Sequence, residues 1–269
     1  MLMSDLSRHE RWNSLTSEMS RADETSDASL RLVPRSRAVC LLDGPFVVLD
    51  DREIPVPEGS ERLLVFVALR NGRAISRRKV AGTLWPDVTE VRAAGNLRTA
   101  LWRLRSAGVG LLEADRHGLS VMRGTAVDIF TLEAWASRLI DGTARRDDLS
   151  LRCFHRGAVE LLPGWYDDWI VFERERLRQR LLHALEVLSR RLAEEGMFGE
   201  AVEAAMTAIQ IDPLRESAHR ALILVHLSEG NCVEALRTYD EYVRLVDHEL
   251  GIGPTLGMTK LVQFLRETA

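Results

Sequence analysis

Gly196, Glu200 and Ala201 recur as Gly230, Glu234 and Ala235, each pair separated by 34 residues. That spacing is the period of tetratricopeptide helix pairs, in which small residues at fixed places let two helices pack closely. Asp212-Pro213 stands where such a repeat needs a helix stop, because proline cannot continue a helix. The sequence beyond residue 127 therefore reads as all-helical, and a few stacked helix pairs make a short solenoid. "DIFTLEAWASRLIDG" and "DDLSLRCFHRGAVELLPG" each read as helical and end at a glycine, and a longer periodic stretch runs from about Trp165 to Glu195.

The segment before this half has a different rhythm. "AVCLLDGPFVVLDDREIPVP" gives short apolar runs broken at Asp43-Gly44-Pro45 and Asp50-Asp51, the signature of a small antiparallel sheet. A helix is expected at about 60–70, ended by Asn71-Gly72. Ser76 suits the N-cap of a second helix, which Pro86 interrupts. Thr89 suits the cap of a third, running to about Ser106. "LLEADRHGLSVM" then gives two short arms around Asp115-Arg116-His117-Gly118, a hairpin.

Charge divides the chain the same way. Residues 38–127 carry thirteen basic and ten acidic side chains, residues 128–269 seventeen and twenty-four, within a total of −4. Between 70 and 106 nine basic residues face only Asp87 and Glu90. A basic segment beside an acidic one points to a polyanionic partner for one part only. Residues 1–36 are rich in Ser, Arg, Asp and Glu with no sustained period and read as a disordered tail. Three distant cysteines, Cys40, Cys153 and Cys232, argue for packed, reduced thiols rather than a disulfide framework or a zinc site. No apolar run suits a transmembrane span or secretory signal, so a cytoplasmic protein without membrane association is expected.

On the third helix Ala94, Leu97, Leu101 and Leu104 fall together. The opposite side carries Arg92, Asn96, Thr99 and Arg103, spaced 4, 3 and 4 apart. Arg98 and Arg105 lie on a flank with Trp102, for which packing against the hairpin is expected, the alternative being a place along a phosphate. Sheet, three helices and hairpin in this order are a winged helix-turn-helix, whose third helix fits the major groove of duplex DNA. Arginine pairs with guanine and asparagine with adenine, and the N-terminal half of such a helix goes deepest. Arg92, Asn96 and Thr99 are the candidate base readers. Arg77, Arg78, Lys79, Arg103 and Arg105 are candidate phosphate contacts. Arg116 and His117 at the hairpin tip suit the backbone or minor groove.

"RKVAGTLWPDVTEVRAAGNLRTALWRLR" resembles the winged helix of the Streptomyces antibiotic regulatory protein (SARP) family. "ELLPGWYDDWIVFERERLRQRLLHALEVL" and "IDPLRESAHRALILVHLSEGNCVEALRTYDEYVRLVDHELGIGP" resemble its bacterial transcriptional activator domain. The resemblance covers about residues 38–268. It implies an α+β winged helix-turn-helix domain at 37–127 and an all-α tetratricopeptide-like domain at 128–269, after a tail at 1–36. It implies sequence-specific binding to promoter direct repeats, two copies side by side as a homodimer on DNA, and activation through RNA polymerase. Arg98 joins the DNA-contacting helix, where a phosphate contact is expected. Trp85, Pro86, Asp87 and Val88 form the loop that faces polymerase in related folds. The hairpin "RHGLSVM" departs from the family's Gly-Tyr-Arg-Leu, with Leu119 and Ser120 replacing the aromatic and basic residues. Without a nucleotide-binding or receiver segment, the sequence resembles the short, stand-alone members.

No Walker-type loop or H-E-x-x-H occurs. His219 and His226, seven apart, read as packing residues, since no third metal ligand is apparent. Asp167-Asp168, adjacent and so on different helix faces, reads as a helix start rather than an acid/base pair. Neither an enzyme nor a cofactor or metal is expected. The alternative is a helical-repeat adaptor for other proteins whose winged helix no longer binds DNA. Exposure of Arg92 and Arg103, against their burial, separates the two.

Overall fold

A computed structural model describes residues 37–42, 44–116, 118–151 and 160–268. The expected disordered tail, His117 and Cys153 lie outside the described residues. Turns at Asp50 and Asp51, both with positive φ, fold the first apolar runs into a meander of β1 (Arg37–Cys40), β2 (Phe46–Leu49) and β3 (Arg52–Pro55). Its antiparallel register pairs Val39 with Val47 and Val47 with Ile54. The sheet is not wholly antiparallel as expected. β6 (Ala126–Val127) adds to the free edge of β1 in parallel, giving the order β3-β2-β1-β6. Parallel pairing needs a long crossover, and here the crossover is the whole three-helix and hairpin unit.

That unit starts with α1 (Glu61–Ala68), whose Leu63 to Ala68 are all buried. Asn71 and Gly72, both at positive φ, stop it. α2 (Arg77–Leu84) and α3 (Glu90–Ser106) each begin at the expected cap. The Ser76 and Thr89 hydroxyls accept hydrogen bonds from the Lys79 and Arg92 amides at 3.3 and 3.4 Å. Leu97, Leu101 and Leu104 of α3 are buried as the spacing predicts. Ala93 and Ala100 complete the inward face, while Ala94, expected there, is half-exposed. The wing follows as β4 (Leu112–Ala114) and β5 (Leu119–Val121).

Beyond residue 127 come α4 (Asp128–Ile140), α5 (Asp168–Glu194), α6 (Phe198–Ile211), α7 (Glu216–Glu229), α8 (Cys232–Leu250) and α9 (Leu256–Thr268). Helix was also expected over "DDLSLRCFHRGAVELLPG". There the described parts are a short 3-10 turn (Arg146–Asp148) and an antiparallel bridge from Leu161 to Leu42, and 152–159 lie outside the described residues. Leu161 and Leu162 are fully buried, where they meet the end of the first strand at Leu41 and Leu42.

The 34-residue repeat is built as anticipated. Gly196 and Gly230 sit at φ +77° and +84° before α6 and α8, a left-handed conformation that glycine adopts without strain. Ala201 and Ala235 are fully buried one turn later. The two copies then diverge. α6 buries Ala204, Ala205 and Ala208, and packs against both α5 and α7. At the matching places α8 has Thr238, Tyr239 and Tyr242, whose rings need the extra layer that Met258 and Val262 of α9 provide. Asp212 is the C-cap of α6, and its carboxylate accepts from Arg178 at 2.8 Å. Arg178 and then Gln179 hold the Glu175 carboxyl down to about 2 by hydrogen bonding.

His219 occupies a core position 34 residues after Leu185. Its Nε2 lies 2.8 Å from the Pro213 carbonyl oxygen and its ring stacks on Tyr242 at 4.5 Å. Burial lowers its basicity, as expected of a packed neutral imidazole. No metal-holding cluster occurs among the described residues.

Candidate nucleic-acid interface

The inward face of α3 is fixed by the leucines, so its outward face follows from helical geometry alone. Two parallel stripes result. Arg92, Asn96, Thr99 and Arg103 form one, with Asn96 half-buried and the other three exposed. Val91, Gly95, Arg98 and Trp102 form the second, at the same 4, 3, 4 spacing. Arg105 continues it. Trp102 does not pack against the hairpin as expected. It is 66% exposed, because it lies outside the buried leucine face of α3. No carboxylate pairs with Arg92, Arg98, Arg103 or Arg105 among the described residues.

Several expected contact residues have roles inside the protein. The Thr99 hydroxyl donates to the Gly95 carbonyl at 3.2 Å, leaving its methyl and oxygen lone pairs for a ligand. Arg77 Nε donates to the Asp115 carbonyl at 3.1 Å, so this half-buried arginine holds the wing tip. Arg78 pairs with Glu90 at 3.2 Å, both exposed. The Arg103 guanidinium lies close to Gly59, before α1. Lys79 sits with Arg70 and Arg73 around a groove of about 220 Å³ beside the start of α2, a basic cluster wider than the sequence reading recognised. Arg70 also stacks over Phe66 at 4.6 Å.

The wing is held to α2 from below. Ile75 and Leu119 exchange backbone hydrogen bonds at 2.8 Å. A Cβ on Gly118 would stand 2.5 Å from the Ile75 carbonyl oxygen, so the crossing needs glycine. Asp115 Oδ1 accepts from the Gly118 amide at 2.8 Å and shapes the tip, where Arg116 is exposed. In the loop between α2 and α3, Pro86 and Asp87 are exposed and Trp85 and Val88 half-buried.

The seam between sheet and helices was missed in the sequence. Asp128, at the first turn of α4, is buried and accepts from the amides of Leu41 (2.9 Å), Leu42 (2.9 Å) and Ile129 (2.7 Å). Burial pushes its carboxyl up to about 6 despite those bonds. Arg174 donates to the carbonyls of Leu161, Leu162 and Trp165 at 2.9, 2.6 and 3.0 Å. Phe66 of α1 meets Trp169 of α5 edge-on at 5.1 Å, and Arg62 pairs with Asp167. The one sequence signal for these was an acid opening a helix; within the charged run "ERERLRQR" nothing sets Arg174 apart. Cys40 lies beside Asp128, and its thiol is pushed up to about 12 by burial, then by Asp128 and Glu53. Cys232 is exposed rather than packed, since it opens α8 on the solvent side.

A winged helix with an arginine-bearing third helix, joined to tetratricopeptide-like helices, is the architecture that sets the class of this protein. Residues 133–266 match the family described as the bacterial transcriptional activator domain. The regulatory protein AfsR of Streptomyces coelicolor is 28% identical over 209 residues, and that of Streptomyces griseus 26% over 211, each covering 75% of this chain. The chain spans only 21% of the length of these curated relatives. The fold is shared with a structure of Mycobacterium tuberculosis EmbR in complex with a low affinity phosphopeptide. That likeness has a TM-score of 0.65 at 17% identity and covers 87% of this chain and 66% of that one. Residues 133–266 are thus a bacterial transcriptional activator domain, and the chain as a whole is similar to SARP-type transcriptional regulators. No described helix is long and apolar enough to cross a membrane.

Proposed function

We propose that this regulator activates transcription by binding promoter direct repeats through α3 and recruiting RNA polymerase. The observation that carries the reading is the outward face of α3, rich in arginines without carboxylate partners, backed by a leucine face that fixes its direction. Arg92 and Asn96 have the chemistry to read guanine and adenine, and Thr99 offers a methyl and an acceptor. Lys79, Arg98, Arg103 and Arg105 suit phosphates, as do Arg78 and Arg116, and His117 is a candidate by its place in the sequence alone. Arg77 acts on DNA by steadying the wing. Exposure of Arg92 and Arg103 favours this over a protein adaptor with a defunct winged helix, which would leave no reason for so many uncovered arginines. The exposed turn at Pro86 and Asp87 suits the polymerase contact, and two copies on a direct repeat suit the family resemblance.

The test is retention of genomic DNA fragments by the full chain over a salt series. Binding should fall steeply with salt, because each neutralised phosphate releases counterions. Absence of retention at low salt overturns the reading.

A further inference from the structure

Val91 has no structural reason to be where it is. It is the second residue of α3, 81% exposed, on the end of the helix expected to enter the groove first. A β-branched apolar residue there gains nothing from burial and is a weaker helix former than alanine. One turn on, on the same stripe, stands Gly95. A glycine inside a helix costs about 1 kcal/mol relative to alanine, yet nothing in the fold requires it. A Cβ there would meet only an Arg98 guanidinium nitrogen at 3.8 Å, an ordinary contact, and its φ is not in the left-handed region. The pair leaves an apolar side chain beside a patch of helix without side chain, at the leading end of a face that carries Arg92, Asn96, Arg98 and Thr99, with Trp102 farther on.

Resting on the DNA-binding reading above, we infer that Val91 reads a thymine by its C5-methyl group, and that Gly95 lets the helix approach closely enough for that contact. The methyl is the apolar group on the major-groove edge of the thymine, and small apolar side chains are its natural partners. Val91 is thereby a specificity residue of a different kind from Arg92 and Asn96, which work by hydrogen bonds. Trp102 shares the stripe but lies eleven residues on, about 16 Å along the axis, beyond the base Val91 meets.

Selection of duplexes from a random pool with the full chain gives the operator sequence. Each thymine is then replaced in turn by deoxyuridine, which removes the methyl alone. At one position wild-type affinity should drop about 4-fold, the value of one buried methyl. Val91→Ala should abolish that sensitivity while keeping or slightly raising the melting temperature. Gly95→Ala should keep or raise the melting temperature and weaken operator binding about 10-fold. An enriched operator that tolerates deoxyuridine everywhere, or sensitivity that persists in Val91→Ala, overturns the inference and leaves the DNA reading standing. Tight operator binding by Gly95→Ala overturns the close approach. No enriched duplex overturns both.

Discussion

Arginines of the winged helix and arginines of the helical region are the same residue in opposite service. On α3, Arg92, Arg98, Arg103 and Arg105 point outward without carboxylate partners among the described residues. On α5 and beyond, Arg174 closes three carbonyls, Arg178 joins Glu175 to Asp212, and Arg215 binds Glu186 at 2.6 Å and Gln179 at 3.1 Å. A guanidinium with its five donors occupied within the protein has little left for a ligand; one facing solvent keeps them all. The comparison teaches that the basic count of a segment is a poor guide to polyanion binding until the partners of each charge are known.

The contrast is open to test, beginning with the largest expected effect. Arg174→Ala should cost about 3 kcal/mol of stability in urea denaturation, because it orphans carbonyls that a charged donor satisfied. DNA affinity of the protein that remains folded should be unchanged. Asp128→Ala should cost about 2 kcal/mol by leaving the Leu41, Leu42 and Ile129 amides unpaired. The same carboxyl gives a pH signature. Its folded pKa is raised to about 6, so its stabilising contribution is complete below the ordinary carboxylate range and is lost as pH rises through about 6. Denaturation followed between pH 4 and 7 should show that slope in the wild type and lack it in Asp128→Ala.

Arg92→Ala reverses the pattern. Operator discrimination should fall by about 1–2 kcal/mol in competition binding, with the melting temperature unmoved. An Arg92→Ala protein that melts early and still discriminates would break the comparison. Lys79→Ala should give the smallest effect, weakening all duplexes alike and lowering the salt-dependence slope by about 1.

Much of this was legible in the chain because it rests on local periodicity. Leu97, Leu101 and Leu104 announced the inward face of α3, Ser76 and Thr89 its caps and that of α2, and Gly196 with Gly230 the repeat. Misreadings came where a long-range partner decides. At the end of "DDLSLRCFHRGAVELLPG", where a helix was expected, Leu161 and Leu162 instead meet Leu41 and Leu42, over a hundred residues earlier. Trp102 was expected to pack against the hairpin, and the surface it faces proved to be solvent.

The sequence by itself determined the periods, the helix ends, the order of sheet, helices and wing, and the side of α3 that must be buried. Those follow from backbone geometry and from where apolar side chains recur. Only the tertiary structure decided which charges remain uncovered, that Asp128 and Arg174 join sheet to helices, that Arg77 serves the wing, and that Val91 faces water. Each of these depends on what a distant segment brings within 3 Å of a polar atom, or fails to bring. No local pattern encodes that, because the partner lies tens of residues away in the chain and meets it only on folding.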